Sequence, residues 1–221
     1  MNLFCVTIVT LGVKVTDTTY VTGIRRAILG KVLTLFPMLF LYTVGLRPVK
    51  KVLTDVDYSY YLGPNYKEKS KKLGDKGRVS KIISPHVSCF DVQTLLACLD
   101  GDISFVANTH VRKIPGFGLL AEKIGCVFVS RGAAEGAGAN AVDSMVQRTE
   151  LIETEGQFPP LMIFPEGTCS NNTCLQKFRR GAFMDLRRCI PVTLKYKYGM
   201  VHPAIDVVDE PILVWMMCAA M

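Results

Sequence analysis

Histidine is scarce in this chain, with three residues at positions 86, 110 and 202. The eight cysteines, at 5, 89, 98, 126, 169, 174, 189 and 218, form no Cys-x-x-Cys pair. With so few clustered ligands a zinc site is not expected, and no metal is assigned. Several cysteines fall within apolar runs, where a free thiol behaves as a small hydrophobe, so reduced thiols in a cytosol-facing domain are the expectation. The Gly- and Ala-rich stretch 132–138 lacks the lysine and spacing of a phosphate-binding P-loop and reads as a linker. No basic n-region precedes the apolar residues 1–13 and no cleavage site follows, which disfavours a cleaved signal peptide. No internal repeat is present.

Apolar residues, by contrast, are plentiful: 49% of 221, with a mean hydropathy of +0.27. That composition tilts the expectation toward membrane contact. The uncharged run from Val32 to Leu46 would make a helix of about 22 Å, short of a hydrocarbon core of roughly 30 Å. Pro37 would kink it, and Lys31 at its start would have to snorkel. Residues 1–50 therefore read as membrane-associated segments: an inserted or re-entrant hairpin, a single span, or a pair of core helices. Arg47, Lys50 and Lys51 beyond the run fit a cytoplasmic end.

The formal net charge of +7 suits nucleic acid, anionic lipid or a phosphorylated substrate equally. Without an interleaved aromatic motif, nucleic-acid binding is not expected. Seven basic residues (Lys67, Lys69, Lys71, Lys72, Lys76, Arg78 and Lys81) face only Glu68 and Asp75, and a solvated loop explains them as well as a binding surface does. Residues 51–77 read as a basic connector. Residues 78–221 then form one α/β domain with a largely parallel sheet flanked by helices, since apolar strands and amphipathic helices alternate. Strands are expected at 78–84, 103–107, 126–130, 161–164 and 191–195, and helices at 91–99, 119–123, 137–153 and 182–188.

The stretch Ser84-Pro85-His86-Val87-Ser88-Cys89-Phe90-Asp91 holds the first candidate chemistry. Positions five apart on a regular helix differ by about 140°, so His86 must precede the helix if Asp91 in its first turn is to orient it. Pro85 disfavours helix before it, and Ser88 and Asp91 have the form of a capping box, with Ser88 at the N-cap and Asp91 at N3. A capping box explains both residues without catalysis. It leaves His86 as either a structural histidine or a general base held by a carboxylate. His110 and His202 carry no such partner.

Three further strings follow in order: Gly125-Cys-Val-Phe-Val-Ser-Arg131, Phe164-Pro-Glu-Gly-Thr168 and Ile190-Pro-Val-Thr-Leu-Lys-Tyr196. Together with His86-x-x-x-x-Asp91 they resemble the four blocks of the glycerolipid (lysophospholipid) acyltransferase family, over roughly residues 82–196. Phe164-Pro-Glu-Gly-Thr-Cys-Ser-Asn171 and Lys177-Phe-Arg-Arg-Gly-Ala-Phe183 are most similar to its lysophosphatidylcholine and lysophosphatidylethanolamine branch.

The resemblance implies acyl transfer from acyl-coenzyme A, as co-substrate, to a lysophospholipid hydroxyl, with no further cofactor and no covalent acyl-enzyme. A CoA-independent phospholipid transacylase or a lysophosphatidic acid acyltransferase would use the same blocks; a catalytically silent lipid-binding protein is the reading from another class. The resemblance implies His86 as general base and Asp91 as its orienting partner. Arg131 would take the acceptor's phosphate, which a forked guanidinium suits, while an exposed strand-terminal arginine is the plainer alternative. Glu166, Gly167 and Thr168 would organise acceptor binding, although Pro165 and Gly167 also suit an ordinary tight turn.

Lys177, with Arg179 and Arg180, would meet coenzyme A phosphates or headgroups, or form a solvated face. Pro191 and Val192 would line an acyl tunnel or core. The implied location is a membrane, the endoplasmic reticulum, with the site facing the cytosol. Two departures stand out. Pro85 occupies the position where many members carry asparagine, and the chain stops soon after the fourth block with an apolar 212–221, which fits a fragment or a compact form.

Overall fold

The structure, a computed structural model, describes residues 2–54, 56–68, 78–130, 137–171 and 173–197. Before the sheet lie the helices α1 (Asn2–Val9), α2 (Gly23–Thr43) and the short α3 (Ser59–Leu62). Strands and helices then alternate as β1 (Lys81–Ile83), α4 (Asp91–Cys98), β2 (Ser104–Asn108), α5 (Phe117–Lys123), β3 (Val127–Val129), α6 (Ala137–Thr154), β4 (Leu161–Ile163) and β5 (Cys189–Pro191). Single 3-10 turns cover Thr109–Lys113 and Arg180–Phe183.

The five strands form one sheet in the order β3-β2-β4-β1-β5, and every pairing is parallel. The expected α/β architecture is therefore present. Lys81, Ile82 and Ile83 lie opposite Leu161, Met162 and Ile163 on one side and Cys189, Ile190 and Pro191 on the other. The two central strands, β1 and β4, are buried at every residue, as continuous rather than alternating runs in a covered parallel sheet require. This register brings the chain leaving β1 beside the chain leaving β4, and both site turns start there.

Several boundaries differ from the sequence expectation. β5 ends at Pro191 instead of running from 191 to 195, and only the Val192 N–H, donating to the Ile83 carbonyl at 2.8 Å, continues the pairing. The helix expected at 182–188 is a 3-10 turn starting at Arg180. Lys81, counted in the basic run, is a buried β1 residue with 2% exposure, paired with Asp185; its charge is committed inside the protein. Thr149 of α6 donates to the other oxygen of Asp185, so this pair ties β1 to α6 and to the segment before β5.

α2 is longer than the apolar run that suggested it, starting at Gly23 and including Arg25, Arg26 and Lys31. It stops where Gly45 takes φ +75° and the Leu46 N–H returns to the Leu41 carbonyl at 2.8 Å, a left-handed helix stop that glycine adopts without strain. Among the described residues no helix is long and apolar enough to cross a membrane. One face of α2 (Leu29, Gly30, Leu33, Pro37, Leu41) is buried, while Ile24, Ile28, Leu35, Leu39 and Tyr42 are exposed.

The buried face of α2 docks on α4 and its exit. A Cβ on Gly101 would overlap the Gly30 carbonyl oxygen, so the two backbones touch with no side chain between them. Arg26 forks onto both oxygens of Asp102 at 2.8 Å and donates to the carbonyls of Gly156 and Gln157 at 3.0 and 2.7 Å. Farther along, Leu41, Phe90 and Ala97 form a small apolar cluster edged by Met38, Cys89 and Tyr196. Full burial of a side chain such as Leu41 or Phe90 contributes roughly 1.5–3 kcal/mol. The larger core lies between the sheet and α1, α2, α5 and α6.

Candidate active site

The turn after β1 brings His86 and Asp91 together, as the spacing argument requires. His86 Nδ1 lies 2.7 Å from Asp91 Oδ2, with the histidine before α4 and the aspartate as its first residue. The capping arrangement is corrected in detail. Ser88 is not the N-cap, since Phe90 precedes the helix; Ser88 Oγ instead accepts the Phe90 N–H at 3.2 Å. Asp91 reaches backward, accepting the N–H groups of Val87 at 2.6 Å and Ser88 at 2.9 Å on Oδ2. Pro85 costs the site nothing by lacking an N–H, because both backbone donors to Asp91 come after it.

The other oxygen, Oδ1, accepts the Tyr196 hydroxyl at 2.7 Å. Asp91 thus sits fully buried with four donors around one carboxylate. The Nδ1 bond leaves Nε2 as the ring nitrogen not engaged by Asp91. The imidazole stacks on Phe164 at 4.2 Å and 16°, and the Phe105 ring lies beyond at 6.4 Å. Burial lowers the proton affinity of His86, but hydrogen bonding to Asp91 and to the Cys169 thiol outweighs it and lifts its pKa to about 9. The shift favours the protonated form of the ring.

The turn after β4 wraps the same histidine. Ser170 N–H donates to the His86 carbonyl at 2.8 Å, and Gly167 N–H closes the turn on the Phe164 carbonyl at 3.0 Å. Gly167 has φ +77°, and a Cβ there would stand 2.6 Å from Nε of Arg179, so this position needs glycine for both backbone and space. Arg179 is fastened by its own N–H to the Pro165 carbonyl at 2.9 Å. Glu166 is 4% exposed, and among the described residues neither carboxylate oxygen has a hydrogen-bond partner.

Thr168 and Lys177 are exposed. Of the basic trio it is Arg179, not Lys177, that is brought against the Glu166 turn. Arg131, with the linker at 132–136, lies outside the described residues, as do residues 198–221. β3 carries the chain to within two residues of Arg131. Pro191 ends β5 and Val192 follows it half-buried. His110 is exposed in a 3-10 turn. Among the described residues no group of three or more His, Cys, Asp or Glu is arranged to hold a metal ion.

Sequence reasoning did not find Tyr196, Phe164 or Ser170 as parts of the site. Tyr196 ends the fourth string, and its polar tip after an apolar stretch was the available signal; its partner is 105 residues away.

The profile of the family described as Acyltransferase matches residues 70–214. Among similar proteins, lysophospholipid acyltransferase LPEAT1 of Arabidopsis thaliana is 28% identical over 87% of this chain and 50% of its own length. Human lysophosphatidylcholine acyltransferase 1 is 37% identical over 52% of this chain and 20% of its own. Lysophosphatidylcholine acyltransferase 2 of Danio rerio is 30% identical over 66% of this chain and 27% of its own. The chain thus spans half or less of these relatives. No solved structure matches it. With the family profile covering about two thirds of the sequence and enclosing both site turns, the chain belongs to the acyltransferase family.

Proposed function

We propose that this protein transfers an acyl group from acyl-coenzyme A to the free hydroxyl of a lysophospholipid. The observation that carries the reading is a mostly buried imidazole, 23% exposed, whose Nδ1 is held by a fully buried, four-donor carboxylate. Nε2 of His86 takes the proton of the acceptor hydroxyl as its oxygen bonds to the thioester carbonyl carbon. The C–S bond then breaks, and the coenzyme A thiolate leaves with that proton from the imidazolium. Asp91 stays ionised, fixing the tautomer and stabilising the imidazolium. No protein nucleophile is required.

The lysophospholipid acceptor is supported by the names of the relatives. Arg131 binds its phosphate, the Glu166-Gly167-Thr168 turn organises acceptor binding, and Lys177, with Arg179 and Arg180, meets coenzyme A phosphates or headgroups. The exposed apolar residues of α1, the turn after it and α2 (Phe4, Ile8, Leu11, Ile24, Ile28) support seating on a lipid surface, from which the acceptor is drawn. An endoplasmic reticulum membrane with the site toward the cytosol fits such an acceptor.

The test supplies labelled acyl-coenzyme A, and separately labelled phospholipid, as sole acyl donor to wild type and His86→Ala with a panel of lysophospholipids. Transfer from acyl-coenzyme A that is lost in the variant is the expected result. Transfer from phospholipid alone would replace the donor, and undiminished activity of His86→Ala would overturn the mechanism.

A further inference from the structure

The carboxylate that orients His86 is itself held from the far side by a residue no motif assigns. Tyr196 lies five residues beyond the end of β5, and its hydroxyl donates to Asp91 Oδ1 at 2.7 Å, while His86 Nδ1 and two backbone N–H groups occupy Oδ2. Thr94 Oγ1 of α4 stands 3.4 Å from the same hydroxyl. One continuous line therefore runs from Thr94 through Tyr196 and Asp91 to His86. Tyr196 also edges the apolar cluster of Leu41, Phe90 and Ala97, so its ring is anchored independently of the hydrogen bond.

We infer that Tyr196 is a positioning residue for acyl transfer, its hydroxyl setting how strongly Asp91 draws the proton of His86 and so the pH at which the base becomes available. The inference rests on His86 acting as the base. A carboxylate that receives a donated hydrogen bond is less basic, because its charge is shared with the donor. Without the Tyr196 hydroxyl the charge of Asp91 concentrates on Oδ2, and His86 holds its proton more tightly. Burial, with the charge of Asp91, pushes the phenol well above its ordinary pKa, so it remains a donor throughout the working range.

Among the described residues the titratable groups that act on this line come from the turn after β1, the start of α4 and the turn after β4. Asp91 and Cys89 act on the phenol, and Asp91 and Cys169 act on the imidazole. Removing the Tyr196 hydroxyl leaves each of these groups in place and changes only the hydrogen bonding of Asp91. Tyr196→Phe keeps the ring and deletes only the donor.

The experiment compares pH profiles of kcat and KM for wild type, Tyr196→Phe and Thr94→Val, with His86→Ala as control, and follows the His86 imidazole of wild type and Tyr196→Phe through a pH titration by NMR. The expected result for Tyr196→Phe is an acid limb and an imidazole titration both moved upward by about one unit. That shift is about a tenfold lower rate at pH 7, recovered at high pH, with KM for the lysophospholipid unchanged. Thr94→Val moves both in the same direction by less, and serves if Tyr196→Phe does not fold.

An unmoved titration in the folded variant overturns the inference, as does an equal loss of rate at every pH. Should His86→Ala keep full activity, the general-base reading fails instead, while the NMR titration still decides whether Tyr196 sets the proton affinity of the dyad.

Discussion

Two acidic side chains lie at the ends of adjacent strands, and the protein treats them in opposite ways. Asp91, after β1, is fully buried and has a donor on every side. Glu166, after β4, is almost as deeply buried and has no partner for either oxygen among the described residues. A satisfied buried carboxylate is a fixed part of the scaffold, whereas an unsatisfied one is a cost that something else must offset. Asp91 is thus satisfied within the fold, whereas among the described residues the burial of Glu166 is left without compensation.

The sharpest way to break this contrast is at the dyad. Asp91→Asn puts an amide where an acceptor serves three N–H groups and a hydroxyl, and the His86 tautomer is no longer fixed. We expect kcat to fall on the order of 10⁴-fold, and His86→Ala to fall by about 10²- to 10⁴-fold, measured as initial rates of acyl transfer. Rates within threefold of wild type would mean that the dyad is structural only.

The same edit at the other carboxylate should have the opposite sign in stability. Asp91→Asn should lower the unfolding free energy by about 3 kcal/mol, and Glu166→Gln should raise it by roughly 1–3 kcal/mol in substrate-free protein, with activity falling. Denaturant titration of the two variants side by side checks this. Destabilisation by both would show that Glu166 is as fully engaged as Asp91.

Next comes pH. Because the base must be deprotonated and its folded pKa is raised to about 9, kcat/KM should climb with pH from 6 toward 9. A flat profile across that interval would remove His86 as the base. The stability sign runs the other way. A raised folded pKa stabilises fully below the unfolded value of about 6.5 and loses that contribution as pH rises through about 9, so the stability gap between wild type and His86→Ala should narrow in alkali. The smallest effect belongs to the partly exposed pair that holds α2: Arg26→Met should cost about 1 kcal/mol and leave the pH profile in place, checked by thermal denaturation at two salt concentrations.

The sequence made some of this legible and concealed the rest for physical reasons. Strands such as Leu161–Ile163 were legible because a covered parallel strand is apolar without interruption. His86 and Asp91 were legible because their relation is local. The details of that turn were not: Ser88 has the composition of an N-cap, but the backbone sends its hydroxyl to Phe90 and lets Asp91 serve the preceding N–H groups instead. The chain from 192 to 195 keeps an apolar character outside the sheet because it packs on the core, so β5 looked longer than it is.

Tyr196 and Lys81 were misjudged for a common reason. Each finds a charged partner more than 100 residues away in the chain, Asp91 and Asp185 respectively. No periodicity reports such a pairing. Lys81 in particular looked like one more member of a basic run until the sheet enclosed it.

The contact between Gly30 and Gly101 has a mechanical consequence. Where helices meet through side chains, rotamers can yield and a small tilt of one is absorbed before it reaches the other. Here main chain rests on main chain, and close-packed interiors transmit displacement rather than dissipate it. α2 therefore meets the exit of α4, the helix whose first residue is Asp91, through backbone alone, with no rotamer at that point to absorb a change in its tilt.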